Sequence, residues 1–226
     1  EAVSFPGPHG DVEVTTLPRP VQRELPIWIT AAGNPDTFRQ AGAMGANLLT
    51  HMLGQGVQEV AEKIAIYREA WRSHGHAGSG HVTLMLHTFV GDDIDSVRET
   101  VRGPLKEYLR TSADLVRLAD WSFPALKGAQ PTTDAEARQR LDAVADNPAD
   151  MDALLDHAFE RYFNTGGLFG TPESCVAFVE QLKSIGADEL GCLVDFGVAP
   201  ATALAHLEQL NTLRLLVNAA VDRLGS

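Results

Sequence analysis

The sequence predicts an α/β fold built from parallel β/α units. Four short runs of apolar residues lack the polar alternation of a half-exposed strand, which is the composition of strands buried on both faces. Each run precedes a stretch with helical spacing of its apolar residues. Strands and helices in this order pair in parallel through right-handed crossovers, which gives either an open doubly wound sheet or half of an eight-fold barrel.

Residues 1–24 are predicted to form a small hairpin and a linker. This segment contains the string VSFPG, the turn-forming string PHGD and the alternating string VEVTTL, and two prolines follow. The β/α region is then predicted to cover residues 25–226.

The first two predicted strands cover residues 25–32 (LPIWITAA) and 46–52 (ANLLTHM). Between them, Asn34 is a good N-cap, Pro35 suits the first position of a helix, and Gly45 ends that helix. A long amphipathic helix follows the second strand and ends in the glycine-rich string SHGHAGSGH.

The third predicted strand covers residues 82–90 (VTLMLHTFV), and a helical insertion follows at about residues 92–163. This insertion is longer than an ordinary connection, and long insertions on enzyme scaffolds often cover a site. Thr171 is then predicted to cap a helix that leads to the fourth strand, residues 190–196 (LGCLVDF), and to a last helix over about residues 200–224.

The composition excludes several classes of partner. With 18 basic and 30 acidic residues the formal net charge is −12, and no run of Lys or Arg is present, so nucleic acid and anionic membrane surfaces are not expected partners. No stretch approaches the roughly 20 apolar residues of a membrane span. Cys175 and Cys192 are too few for a disulfide framework, so we expect buried thiols and a cytoplasmic protein.

The turn at residues 31–34 (AAGN) is the most informative candidate site. Small residues such as Gly33 let the backbone approach an anion, and the first amides of the following helix supply partial positive charge. The Thr37 hydroxyl lies one turn into this helix, whereas the Asp36 carboxylate would repel a phosphate. An ordinary helix cap accounts for the same residues, and spacing alone favours that alternative.

Five histidines are candidate ligands or proton carriers. His51 and His87 each lie near the C-terminal end of a predicted strand, where α/β folds build their sites, and His51 is the stronger candidate. The alternative for both is a packed strand histidine. We predict no metal site at His74, His76 and His81, because no acid or cysteine completes the set; a solvated loop is expected there.

Three strings resemble the luciferase-like flavin monooxygenases: LPRPVQRELPIWITAAGNPDTFRQAGAMGANLLTHMLGQ, HVTLMLHTFVGDD and GTPESCVAFVEQLKSIGADELGCLVDFG. The resemblance covers nearly the whole chain and is strongest to the branch associated with nonribosomal peptide and polyketide assembly lines. It implies a (β/α)8 barrel that binds FMN noncovalently. The family's first four units and its best-known catalytic histidine have no counterpart here, so the predicted fold is the C-terminal half of a TIM-like barrel, with four parallel units and a helical insertion.

The resemblance also implies a function. The positions that correspond to the FMN phosphate site are Ala32, Gly33, Asn34 and Thr37, and we assign His51 a catalytic role. The expected activity is oxygenation of a small or carrier-protein-bound substrate with reduced FMN and O2, supported by a flavin reductase. Two alternatives stay open: a non-catalytic flavin-binding or scaffolding fragment, and a deazaflavin-dependent oxidoreductase. Unpaired strand edges lead us to expect a homodimer or aggregation.

Overall fold

The computed structural model describes residues 2–111 apart from 16, 19, 20 and 23, then residues 133, 135, 136, 139, 142, 144 and 146–224. In this part of the chain, parallel strands alternate with helices. The predicted α/β class with parallel β/α units is therefore confirmed.

The first two strands form a separate hairpin near the N-terminus. Strand β1 (Val3–Phe5) pairs antiparallel with β2 (Val12–Val14), with Ser4 opposite Glu13. Both strands are exposed along their whole length, so the hairpin contributes little to the apolar interior of the protein.

The main sheet contains the other five strands, all paired in parallel. Its central order is β3 (Trp28–Thr30), β4 (Asn47–His51), β5 (Val82–Val90) and β7 (Glu189–Leu193). Strand β6 (Leu168–Gly170) pairs with the last three residues of β5. The long strand β5 is therefore the centre of the sheet.

In the described part of the chain, seven helices connect or follow the strands. Three of them begin at a capping residue followed by proline. Asn34, Asn147 and Thr171 each cap a helix whose first residue is proline, and Thr171 forms a capping box with Ser174. The helices are α1 (Pro35–Ala43), α2 (Val57–Ser73), α3 (Ile94–Thr111), α4 (Pro148–Thr165), α5 (Pro172–Ser184), α6 (Pro200–Ala205) and α7 (Leu207–Leu224).

One apolar core lies between the sheet and helices α1, α2, α5 and α7. Side chains that alternate along β4 and β5, including Leu48, Leu84 and Leu86, are fully buried there. The helices contribute Phe38 and Tyr67, which are also fully buried. This core fixes the helix-bearing side of the sheet.

A second core forms where α3 and α4 pack on each other and on the C-terminal half of β5. It includes Phe89 of β5, Leu105 of α3, Phe159 of α4 and Phe169 of β6. Helices α3 and α4 belong to the predicted insertion, and residues 112–132 of it lie outside the described residues. The insertion therefore contributes to the core at the end of the strands where sites are expected.

Two sequence predictions about the strands are wrong. The runs at residues 25–32 and 190–196 were expected to be buried on both faces, but β3 and β7 are mostly exposed or partly buried. Each of them has one neighbouring strand in the described part of the chain. Cys192, which was expected to be buried, is exposed. The sequence also does not predict strand β6, whose two apolar residues lie between glycines.

Two observations complete the description of the helices. The last predicted helix is divided at His206 into α6 and α7. Across the described residues, every helix is too short or too polar to cross a lipid bilayer.

Candidate functional site

The predicted phosphate turn and His51 lie side by side at the C-terminal ends of β3 and β4. Thr30 is opposite Leu49 in this parallel pair, and the Ala31 amide donates to the Leu49 carbonyl at 2.9 Å. Continuing the same register by two residues brings Ala32 level with His51. The two predicted site elements are therefore neighbours.

The turn that follows β3 is organised around the Asn34 cap. Its Oδ1 accepts a hydrogen bond from the Asp36 amide at 3.0 Å, and its carbonyl accepts one from the Thr37 amide at 3.1 Å. Pro35 has no amide proton. Because these amides are engaged, the groups best placed to donate to an anion are the backbone of Gly33, the Asn34 Nδ2 amide and the Thr37 hydroxyl.

The objection raised by Asp36 is reduced by its surroundings. Its carboxylate forms an ion pair with Arg39 on the exposed surface of α1. Gly33 and Thr37 are half-buried and Asn34 is exposed, so the turn is open to a ligand. The structure thus leaves room for an anion without a free carboxylate beside it.

A buried lysine links the turn to the loop that follows His51. The Lys63 side chain, on α2, is only 6% exposed. Its Nζ donates to Gln55 Oε1 at 2.7 Å, to Glu59 Oε1 at 2.5 Å and to the Ala32 carbonyl at 3.4 Å. Gln55 Nε2 in turn donates to the His51 carbonyl at 2.6 Å.

Sequence reasoning missed Lys63, although a signal was present. The residue lies between Val60 and Tyr67 on the apolar stripe of α2, where both neighbours are fully buried. A lysine on the buried face of a helix needs a partner for its charge, since an unpaired buried charge is strongly destabilising.

His51 and His87 occupy the same face of neighbouring strands. His51 pairs with Met85, and His87 follows Met85 by two residues on β5, so both rings point to one side of the sheet. His51 is half-buried, whereas His87 is 1% exposed. Burial, and secondarily the nearby charge of His51, lower the pKa of His87 to about 4.

Aromatic side chains from three elements surround His87. Its ring contacts Tyr108 of α3 at 4.5 Å between centroids, and Tyr162 of α4 and Phe196, after β7, each at 5.5 Å. The Nδ1 atom lies 2.9 Å from the Tyr162 hydroxyl. The sequence could not predict this environment, because it fixes neither the orientation nor the pKa of a strand histidine.

His87 and Tyr162 share a buried hydrogen bond between Nδ1 and the phenol oxygen. Burial raises the pKa of Tyr162, so the phenol keeps its proton near neutral pH. Among the described residues, Nε2 of His87 has no hydrogen-bond partner. Because the pKa of His87 is lowered to about 4, its imidazole is neutral near neutral pH.

The three histidines of the glycine-rich segment bind separate partners. His74 Nδ1 lies 2.9 Å from the Ala70 carbonyl, His76 Nε2 lies 2.9 Å from the Ala43 carbonyl, and His81 Nε2 lies 3.3 Å from Glu189. The expectation of a solvated loop is wrong for His76 and His81, which are half-buried and pack against Trp71 and Trp28. These contacts tie the loop to the body of the protein.

A cleft of about 990 Å³ lies between α5, β7 and α7. It is lined by apolar side chains such as Val179, Leu190 and Leu210, with Cys192 at its wall. Cys175 of α5 is buried, and burial raises the pKa of its thiol to about 11, as expected for a packing residue.

Comparison with known proteins gives a family match and three informative structural relatives. The family model described as luciferase-like monooxygenase matches residues 1–189. The monooxygenase RslO1 from Streptomyces bottropensis is 17% identical, with a TM-score of 0.57 over 99% of this chain and 56% of that one. No curated protein sequence matches the chain.

Two further structures have the same fold. The oxygenating constituent of 3,6-diketocamphane monooxygenase from Pseudomonas putida, in complex with FMN, is 16% identical, with a TM-score of 0.58 over 93% of this chain and 56% of that one. The coenzyme F420-dependent tetrahydromethanopterin reductase from Methanopyrus kandleri is 18% identical, with a TM-score of 0.52 over 80% and 48%. The chain thus spans about half the length of these TIM-barrel relatives, and a partial barrel is compatible with them.

Proposed function

Because the chain belongs to the luciferase-like monooxygenase family, we propose that it forms part of an enzyme that uses reduced FMN and O2 to oxygenate an organic substrate. The observation that carries the proposal is the adjacent position of the Ala32–Gly33 turn and His51 at the ends of two parallel strands. Active sites of barrels are built at this end of the strands.

The residues proposed to hold the flavin phosphate are Ala32, Gly33, Asn34 and Thr37. The small turn residues allow a close approach of the backbone, and the Asn34 amide and Thr37 hydroxyl can donate to phosphate oxygens. The ion pair of Asp36 with Arg39 supports this assignment, because it neutralises the nearest carboxylate. When bound, reduced flavin supplies the electrons and activates O2.

The proposed role of His51 is to donate to the flavin edge or the substrate, or to move a proton there near neutral pH. His87 lies on the same side of the sheet with a buried Nε2 atom, and its ring packs against Tyr108, Tyr162 and Phe196. Water exclusion favours oxygenation over release of peroxide. Helices α3 and α4 are proposed to form the cover of this site.

The resemblance to the assembly-line branch supports a substrate that is either small or bound to a carrier protein, and a separate flavin reductase as partner. A deazaflavin-dependent oxidoreductase and a non-catalytic flavin-binding fragment are the competing functions. Cofactor titration together with a product assay separates all three functions. FMN binding without product indicates the non-catalytic fragment, and deazaflavin binding indicates the deazaflavin-dependent oxidoreductase. FMN-dependent product formation indicates the oxygenase.

The experiment is a titration of the complete protein with FMN and with a deazaflavin, repeated for Gly33→Asp and Gly103→Asp. Gly103 is an exposed position of α3 where an added side chain meets open space, so it controls for the added charge. We expect Gly33→Asp to weaken FMN binding by about tenfold, since like charges at close range repel by about 1 to 4 kcal/mol. Equal FMN affinity in the two variants would refute the phosphate assignment.

A further inference from the structure

We propose that Lys63 is a positioning residue of the flavin phosphate site, and that its ammonium group supplies the positive charge on which phosphate binding depends. The inference rests on the proposed function, because it assigns the Ala32–Gly33 turn to the FMN phosphate. The inference is based on the position of Lys63, which is 95% buried and donates a hydrogen bond to the Ala32 carbonyl in that turn.

The Lys63 ammonium has an organising role that an apolar residue could not perform. Its three protons are shared among Ala32, Gln55 and Glu59, and Gln55 passes the connection on to the His51 carbonyl. Burying a charge is costly, and a well-packed apolar side chain would often be as stable at such a position. The network holds the end of β3 and the loop after β4 at a fixed separation.

The helix cap explains why this charge matters. The amides of Asp36 and Thr37 already donate to Asn34, so the first turn of α1 offers few free donors. The Lys63 ammonium contacts the carbonyl of Ala32, the residue before Gly33. Its charge replaces part of the positive potential that free amides would supply. Glu59 opposes this effect, because its half-exposed carboxylate pairs with Lys63.

The test compares FMN with riboflavin, which carries the same ring system and lacks the phosphate. In the complete protein, we expect Lys63→Met to weaken FMN binding by about tenfold, equal to about 1.4 kcal/mol. Riboflavin affinity should change by less than about twofold, since the lost attraction acts on the phosphate charge. Lys63→Arg keeps the charge and should restore most of the preference for FMN.

Glu59→Gln is the matched variant for the case in which Lys63→Met does not fold. It keeps the ammonium and removes the opposing carboxylate, so FMN should bind as tightly as before or more tightly, with no change for riboflavin. The preference of the Glu59→Gln variant for FMN over riboflavin should also decline with added salt, because salt screens charge interactions.

Each outcome has a distinct meaning. An equal loss of FMN and riboflavin affinity in Lys63→Met would show that Lys63 only stabilises the local structure, and it would overturn the inference. No loss of affinity for either flavin would also overturn it. Weaker FMN binding in Glu59→Gln would also overturn it. A wild-type protein that binds FMN no better than riboflavin would refute the phosphate assignment, and one that binds no flavin would refute the proposed function itself.

Discussion

The two histidines on one face of the sheet lie in different environments, and this separates their roles. His51 is half-buried beside the phosphate turn, whereas His87 is enclosed by aromatic rings and bonded to Tyr162. Titratable groups in contrasting environments are a common sign of divided acid and base functions. Under the proposed function, His51 is the candidate for proton movement, whereas His87 stays neutral near neutral pH.

His51→Ala should lower kcat/KM for substrate oxygenation by more than about tenfold, the effect of losing one transition-state contact. His74→Ala is the control, since His74 is exposed at the end of α2 and far along the chain from the turn. Steady-state kinetics of the complete enzyme measure both. If the two variants retain equal activity, His51 is a packed strand residue.

His87 should make stability depend on pH. Its pKa is lowered from 6.5 to about 4 in the folded protein, so between these values the unfolded chain binds a proton that the folded chain does not. The free energy of unfolding should therefore fall from pH 6.5 toward pH 4, by about 3 kcal/mol, and level off below.

Urea denaturation at several pH values tests this for wild type and for His87→Phe, which retains a ring and cannot titrate. The stability difference between the two proteins should shrink as the pH decreases from 6.5 to 4. A difference that is the same at every pH would contradict the lowered pKa.

Helices α3 and α4 are joined by charged side chains spaced four residues apart. Arg98, Arg102 and Lys106 of α3 face carboxylates of α4: Asp152, Asp156 and Glu160. The guanidinium of Arg102 also lies 4.7 Å from the centre of the Phe159 ring. Networks of this kind contribute more than isolated surface pairs. The helix pair belongs to the core, so it cannot be excised without loss of the fold.

Arg102→Met should lower the free energy of unfolding by about 1 to 2 kcal/mol, because it removes two ion pairs and a cation–π contact together. Arg110→Met, at an exposed pair with Glu107, should change it by less than about 0.5 kcal/mol. Chemical denaturation at low and high salt is the measurement. Equal effects of the two substitutions would show that the network adds nothing beyond single pairs.

At the scale of the whole molecule, exposed apolar side chains occur on the hairpin, on β3 and on the last two described helices. Phe5 and Val12 are each 53% exposed, and Trp28 on β3 is 43% exposed. In the described part of the chain, β3 and β7 each pair with one strand, and the apolar cleft lies beside β7. Such edges and patches favour association.

The 226-residue chain should therefore form a dimer or larger species in solution. Light scattering across a range of protein concentrations measures its mass, and a monomeric mass at every concentration would contradict the prediction. Trp28→Lys places a charge on the exposed edge of β3 and should shift the distribution toward monomer.

Local sequence patterns determined the starts of several helices, the parallel class and the order of the main strands along the chain. Asn34 and Thr171 identify helix starts, because capping depends on residues close together in the chain. The turn and His51 could also be placed at strand ends from local patterns, because the apolar pattern of each strand ends near a glycine or a helix cap.

Only the tertiary structure decided which strands are edges and which side chains meet. Burial of β3 and β7 depends on neighbours far along the chain, so their apolar composition alone gave the wrong exposure. The contact of Lys63 with Ala32 spans 31 residues, and that of His87 with Tyr162 spans 75. A sequence records the chemistry of each group, but packing brings distant groups within the few ångströms over which hydrogen bonds and pKa shifts operate.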